Sequence, residues 1–205
     1  MKKRSGITIA GSTIVDKIYE IPAYPALGEL TQIASITTAM GGCVANVSLD
    51  LKSLCPEMDI RAAGLVGSDT DGDFYIKTLM DNGVETCGVR RVPGAITTCT
   101  HVMSIPGGQR TFFTYAGADA DLCAADLDLD NVPSKILHLG YFLLLKNVDA
   151  GEGLEILKRV FCNRKVDVEI WKLEKKDLAL IIAIQVSPAA MRWGYFVVTL
   201  NLQSF

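Results

Sequence analysis

The sequence is short of several things, and each shortage closes off a class of function. It holds only two histidines, His101 and His138, and its six cysteines (Cys43, Cys55, Cys87, Cys99, Cys123 and Cys162) never fall as Cys-x-x-Cys. Zinc centres need closely spaced soft ligands, so none is expected. The thiols read instead as buried or half-buried groups in a reducing compartment. No basic stripe or polybasic block occurs, and 20 Lys and Arg stand against 23 Asp and Glu. With a net charge of −3, neither nucleic acid nor an anionic membrane is an expected partner. Long apolar runs are missing as well. "LALIIAIQV" near the C-terminus is far too short to span a bilayer. The basic-then-apolar start "MKKRSGITIAGSTIVD" is broken by Gly11, Ser12 and Thr13 and closed by Asp16, so it reads as a first strand. A soluble cytoplasmic protein is expected.

The nucleotide fingerprints are also absent. "IAGSTIVD" offers Gly11 alone, with no G-x-G-x-x-G and no helical pattern behind it, which argues against a dinucleotide site and an oxidoreductase. The P-loop pattern G-x-x-x-x-G-K-[ST] occurs nowhere. "DTDGD" resembles the start of a calcium loop, but Phe74 and Met80 stand where that loop needs a glycine and a carboxylate. Helix capping by Ser68 or Asp69 is the better reading.

What is present is an ordinary globular mixture, 49% apolar and 21% charged, long enough for one domain with a full core or one domain with a small appendage. "ITIAGSTIVD" reads as strand and turn, "YEIPAYPALGEL" as a loop, and "TQIASITTAM" as a strand. In the following stretch Val44, Val47, Leu51 and Leu54 keep the spacing of one helical face. "DIRAAGLVG" is a buried-strand pattern, and "SDTDGDFYIKTLMDNG" is a helix ended by Gly83. Strand–helix alternation predicts a mostly parallel sheet with helices on its faces. Three β-rich pieces between Gly88 and Gly117 break that rhythm and read as a small antiparallel excursion. "ILHLG" is a core strand, "GEGLEILKRVF" a helix and "KVDVEIW" a strand. Beyond residue 171 the composition shifts: from Leu178 to Phe205 there is no acidic residue, and one glycine of the eighteen remains.

Two places carry candidate chemistry. In "GGCVANVSLD", Gly41 and Gly42 let a ligand lie against bare backbone, and Asn46 can donate and accept together. A helix beginning near Val44 would turn its first N–H groups into that space. A phosphate would call for Lys, Arg or a hydroxyl in this turn, and none is there; a polyhydroxy compound fits better. The plainer reading is a tight strand-to-helix turn with an asparagine near its cap. Asp16 shifts the balance. It follows a short strand and turn, where ligand contacts concentrate in open α/β sheets, and a carboxylate accepts from two neighbouring hydroxyls. The second place is "GGQR", either a hairpin turn with a solvated arginine or an Arg110 aimed at a polar or anionic ligand.

These residues resemble the N-terminal part of the PfkB family of carbohydrate kinases, the ribokinase group. The family's glycine pair, asparagine, small residue and later glycine are matched by Gly41, Gly42, Asn46, Ser48 and Gly64 or Gly67. "GSDTDG", "GGQRTFFTYAGA" and "ILHLGYF" match its helix-entering turn, its lid strands and its next core strand. The resemblance implies an α/β fold, a ribokinase-like three-layer α/β/α arrangement with a mostly parallel sheet and a small antiparallel β lid, here incomplete. It implies a sugar-binding portion over 1–170, with the lid at about 15–40 and 88–117, and a divergent tail over 171–205. It assigns Asp16, Gly41, Gly42 and Asn46 to a sugar or related polyol, with Arg110 and Tyr141 as lesser contacts. It allows a homodimer through the β lid. ATP and Mg2+ are the cofactors the full family implies.

The sequence departs from the family on the phosphate side. The family's Gly-Ala-Gly-Asp motif, which supplies the catalytic aspartate, is absent, and Asn201 is followed by Leu202, Gln203 and Ser204 where an Asn-x-x-Glu motif would be. The expectation is a truncated sugar kinase, inactive alone, with no binding site for ATP or metal and an exposed, self-associating sheet edge. A catalytically dead sugar- or nucleoside-binding module, or a nucleoside kinase of the same family, are the alternatives.

Overall fold

The computed structural model describes residues 5–127, 134, 136–140, 145, 147 and 197–201. The main sheet has five strands: β1 (Ile7–Gly11), β4 (Ile60–Gly67), β5 (Glu85–Val92), β8 (Ile136–Gly140) and β9 (Val197–Asn201). A second, four-stranded sheet is built from β2 (Ile14–Glu20), β3 (Ser35–Gly41), β6 (Cys99–Ser104) and β7 (Arg110–Tyr115). The helices are α1 (Gly42–Leu54) and α2 (Thr70–Asp81).

The main sheet runs β5-β4-β1-β8-β9. Its first four strands are parallel, and β9 joins antiparallel to β8 at the edge. β1 is central because both its faces are apolar or small: all five residues of "ITIAG" are buried. One face carries Ile7, Ile9, Ile60, Ala62 and Val66, which form a core with Cys43, Val44 and Ala45 of α1 and with Tyr75 and Leu79 of α2. Leu65, Leu137 and Leu139, all buried, lie on the other. Chain order reverses between β1 and β8, so the carboxyl ends of these strands form a topological switch point, where open α/β sheets bind ligands.

The second sheet runs β3-β2-β6-β7. It stands at that carboxyl end because β1 passes into β2 through only Ser12 and Thr13, and β3 passes directly into α1. It is mixed rather than antiparallel throughout: β2–β3 and β6–β7 are antiparallel, but β2 and β6 run parallel. The first of the three β-rich pieces, "GVRRV", belongs to the main sheet, where β5 pairs parallel with β4 from Arg61–Glu85 to Gly67–Val92. Local alternation marks a strand without naming its partner, and here Val89 is buried in the helical-face core.

α1 begins at Gly42, two residues before the expected start, and buries Gly42, Cys43, Val44, Ala45 and Ser48. Val47 and Leu51 are partly buried and Leu54 is 77% exposed, so the expected apolar face is correct only in its first turns. α2 is as read: the Asp69 side chain accepts from Gly72 N–H at 2.8 Å, and Gly83 leaves the helix at φ +73°. The five described cysteines are free thiols. Among the described residues no helix is long and apolar enough to cross a membrane. Tyr141, the helix read in "GEGLEILKRVF" and the strand read in "KVDVEIW" lie outside the described residues.

Candidate functional site

The glycine pair divides into two different glycines. Gly42 has φ +77°, a conformation that side chains resist, and a Cβ there would overlap the carbonyl of Ser12. It is a structural glycine, needed for the turn from β3 into α1. Gly41 is the N-cap of α1 at φ −138° and ψ −174°, extended backbone that any residue adopts. Its lack of a side chain answers to something else. A Cβ on Gly41 would lie 2.5 Å from Oδ2 and 3.0 Å from Oδ1 of Asp16. The bare Cα of Gly41 is what gives the Asp16 carboxylate room.

Pairing explains how the two meet. β2 and β3 are antiparallel with Ile14 opposite Gly41 and Asp16 opposite Ala39, so Asp16 and Gly41 lie on one face of the lid, with the Val15–Met40 pair between their levels. Lys17, the next residue, points to the other face and pairs with Asp71 of α2 at 2.5 Å. Asp16 therefore keeps no cation, and among the described residues it has no hydrogen-bond partner. It is half-buried, and burial pushes its carboxyl above the ordinary carboxylate value. A partly desolvated acceptor whose lone pairs meet no donor is ready for hydroxyl or amine donors.

Asn46 is exposed and stands four residues after Gly42 on α1, on the same helical face. It sits one turn in from the helix start rather than in the first turn. The first turn is also less open than expected: Val44 N–H donates to Ser12 O at 3.2 Å, fastening α1 to the β1–β2 corner. The N-cap makes no side-chain bond, and the first turn holds no acidic residue.

Arg110 opens β7 and is exposed. It pairs with Ser104, which pairs with Glu20, whereas the level of Asp16 is that of Thr100 and Thr114. Arg110 is thus four residues, roughly 13 Å, along the sheet from Asp16. Its guanidinium lies over the Phe112 ring at 5.7 Å, and "PGGQ" forms the hairpin turn, with Gly108 N–H bonded to Ile105 O. The structure brings together Asp16, Gly41, Gly42 and the Asn46 face; it does not bring Arg110 to them.

A buried polar group at the root of the lid went unread in the sequence. Asp119 accepts from Thr13 N–H at 3.0 Å, and its Oδ1 is 2.9 Å from Thr13 Oγ1. Its own N–H donates to Thr98 Oγ1 at 3.1 Å. Thr97 gives its N–H and hydroxyl to Asp69 and receives Gly67 N–H. The available signal was a run of threonines and a turn aspartate inside otherwise apolar segments, "GST", "ITTCT" and "AGADAD".

The residues around Asp16 do not fit a nucleoside triphosphate. An unpaired carboxylate repels phosphate, and the nearest lysine is already paired with Asp71. Among the described residues no cluster of three or more His, Cys, Asp or Glu side chains is placed to hold a metal ion. The arrangement suits a neutral ligand rich in hydroxyls.

Residues 6–177 match the profile of the pfkB family carbohydrate kinases. The chain is 32% identical over 119 residues to a probable chloroplastic fructokinase-6 of Arabidopsis thaliana, covering 57% of this chain and 30% of that protein. It is 28% identical over 145 residues to fructokinase-2 of Solanum lycopersicum, covering 69% of this chain and 42% of that one. Among solved structures, the ribokinase of Thermotoga maritima superposes with a TM-score of 0.59 at 22% identity, over 65% of this chain and 44% of that one. The nucleoside kinase of Methanocaldococcus jannaschii gives 0.58 at 22% identity, over 67% and 44%. These two likenesses show the fold. The chain spans less than half the length of the relatives it matches.

Proposed function

The chain belongs to the pfkB family of carbohydrate kinases, and from that premise we propose that it carries the sugar-holding side of such an enzyme. The observation that supports this most is the unpaired, half-buried Asp16 carboxylate lying against Gly41, a glycine whose backbone does not require one. Two oxygens of one carboxylate accept from two adjacent hydroxyls, Gly41 leaves space for the ring to approach, and Asn46 supplies a donor and an acceptor one helical turn away. The relatives named fructokinase favour a ketohexose as the first ligand to test. Arg110 would enter only for a ligand reaching some 13 Å along the lid.

The proposal extends to what these 205 residues do not do alone. Phosphoryl transfer needs a base for the acceptor hydroxyl and groups that stabilise the migrating phosphoryl. The family's Gly-Ala-Gly-Asp string is not in the sequence, and Asp16 is suited to holding hydroxyls rather than phosphate. The 205-residue chain is proposed to bind sugar without turning over ATP. A lid-to-lid homodimer is part of this reading, supported by the exposed Phe112, Phe113 and Tyr115 of the edge strand β7. A reducing, cytoplasmic setting is supported by the free cysteines.

The test is isothermal titration of the purified chain with D-fructose, D-ribose and adenosine, beside an Asp16→Asn variant. Saturable heat with a sugar, reduced at least tenfold in affinity by the substitution, supports the reading. Heat with adenosine alone favours a nucleoside ligand. No heat with any of them, or equal binding by the variant, overturns it. ATP-dependent fructose phosphorylation by the wild-type chain would overturn the second half.

A further inference from the structure

Four chain crossings connect the main sheet to the lid, and their buried polar groups converge. Thr13 lies where β1 passes into β2, and it is fully buried. Thr98 leads into β6, and its hydroxyl donates to Ala116 O, just beyond β7. At the fourth crossing, Val44 N–H binds Ser12 O, beside Thr13. Asp119 touches two of these crossings directly, through Thr13 and Thr98, and is 5% exposed.

Counting hydrogens at Thr13 ties the state of this aspartate to the Leu65 bond. β1 stops pairing with β4 at Ala63, which leaves the Leu65 carbonyl without a strand partner on that side. The Thr13 hydroxyl takes that place and donates to Leu65 O, and Gly64 has no side chain to obstruct it. The same oxygen is 2.9 Å from Oδ1 of Asp119. A hydroxyl has one hydrogen, and a carbonyl has none to give. If the Thr13 hydrogen goes to Leu65, the hydrogen between Asp119 and Thr13 must come from Asp119.

We propose that Asp119 is a proton-dependent positioning residue: protonated, it completes the chain Asp119–Thr13–Leu65 that fixes the root of β2, and so holds Asp16 over Gly41. The surroundings agree. Cys43 of α1 and Tyr75 of α2 face this carboxyl and neither is cationic. The described cations of the adjoining strands are paired elsewhere: Lys17 of β2 with Asp71, Arg90 of β5 with Asp126, and Arg61 of β4 with Glu85. Asp121, on the same turn, is exposed. Burial pushes the Asp119 carboxyl up to about 7, and the bond from Thr13 N–H opposes it only in part. When the proton leaves to solvent, the single Thr13 hydrogen is wanted by both Leu65 O and the carboxylate, and one buried acceptor loses its partner.

The sign follows from the raised value. The folded state holds this proton where the unfolded chain has released it, so the root is tightest below the unfolded value near 3.8 and loosens as pH rises from there through about 7. Amide hydrogen exchange in the 205-residue chain, corrected for intrinsic exchange rates, reads this at 14–20 and 99–104. Between pH 6 and pH 8 the wild-type lid should lose about tenfold in protection by proton linkage. Asp119→Asn places an amide donor toward Thr13 and a carbonyl under its N–H, so its protection should stay at the pH 6 level throughout. Asp119→Ala should be low at both values. His101 is kept in every variant, which separates its contribution. A wild-type lid unaffected by pH, or an Asp119→Asn lid that loosens as the wild type does, overturns the proposal.

The consequence for Asp16 rests on the sugar-binding reading, but the exchange result does not. D-fructose affinity on the same samples should fall with lid protection in the wild type and stay flat in Asp119→Asn. Unchanged fructose affinity in a loosened lid overturns the link to Asp16. If no protein binds fructose, the sugar reading fails and the exchange data alone decide the latch.

Discussion

Two aspartates on either side of one hinge show how position decides what a carboxylate does. Asp16, the third residue of β2, is half-buried and has no partner among the described residues. Asp119, at the root, is buried and hydrogen-bonded to Thr13 and Thr98. Burial raises both, but only the second has partners arranged around it. An acceptor held without partners at a topological switch point is a place for a ligand, and a saturated one is part of the frame. The root should therefore govern stability, and the cup formed by Asp16, Gly41 and the Asn46 face should govern binding.

The largest expected effect lies in the frame. Gly42→Val puts a β-branched side chain at φ +77° against the Ser12 carbonyl and should cost about 4 kcal/mol from backbone strain and overlap, read by urea unfolding. Thr13→Val keeps the shape but removes the hydroxyl that serves Leu65 and Asp119, and should cost about 2–3 kcal/mol for the unsatisfied acceptors. Asp69→Ala removes the α2 cap and the anchor of Thr97, and should cost about 1–2 kcal/mol.

Asp69 also carries a pH signature opposite to that of Asp119. Burial pulls its carboxyl up, but the bonds from Thr97 and Gly72 outweigh this and hold it below the ordinary value. Its contribution is complete above the unfolded value near 3.8 and is lost as pH falls through its lower folded value. Asp119 destabilises instead as pH rises toward 7. Unfolding titrations of Asp69→Ala should flatten the acid limb and leave the neutral limb unchanged.

The smallest stability effect should come from the cup. Gly41→Ala requires no strained backbone, so stability should change by only about 0.5 kcal/mol, while the new methyl displaces the Asp16 carboxylate and weakens sugar binding at least tenfold. A variant that loses stability and affinity together would erase the distinction between cup and frame.

The cup was more legible in the sequence than the frame. Gly-Gly-x-x-x-Asn and the strand–turn–Asp pattern are local strings, and they point to residues the fold places at one corner. The sequence did not separate Gly41 from Gly42, because φ and the approach of Asp16 are set by β2–β3 pairing. Nor did it show that "GVRRV" joins the main sheet or that β2 and β6 are parallel, since alternation encodes exposure and not the partner strand. Leu54 fits the helical period yet is exposed, because α1 is buried mainly through its first turns. The Asp119–Thr13 contact joins residues 106 positions apart, and no short window contains both.

The central claim is that the Asp16 carboxylate itself accepts the sugar's hydroxyls. Side-chain carboxyl 13C NMR of Asp16, assigned through Asp16→Asn, tests it most directly. The account predicts that D-fructose shifts this resonance saturably and lowers the titration midpoint of Asp16, because hydroxyl donors favour the ionised form. A saturating fructose complex in which the Asp16 resonance and its midpoint do not move would contradict it.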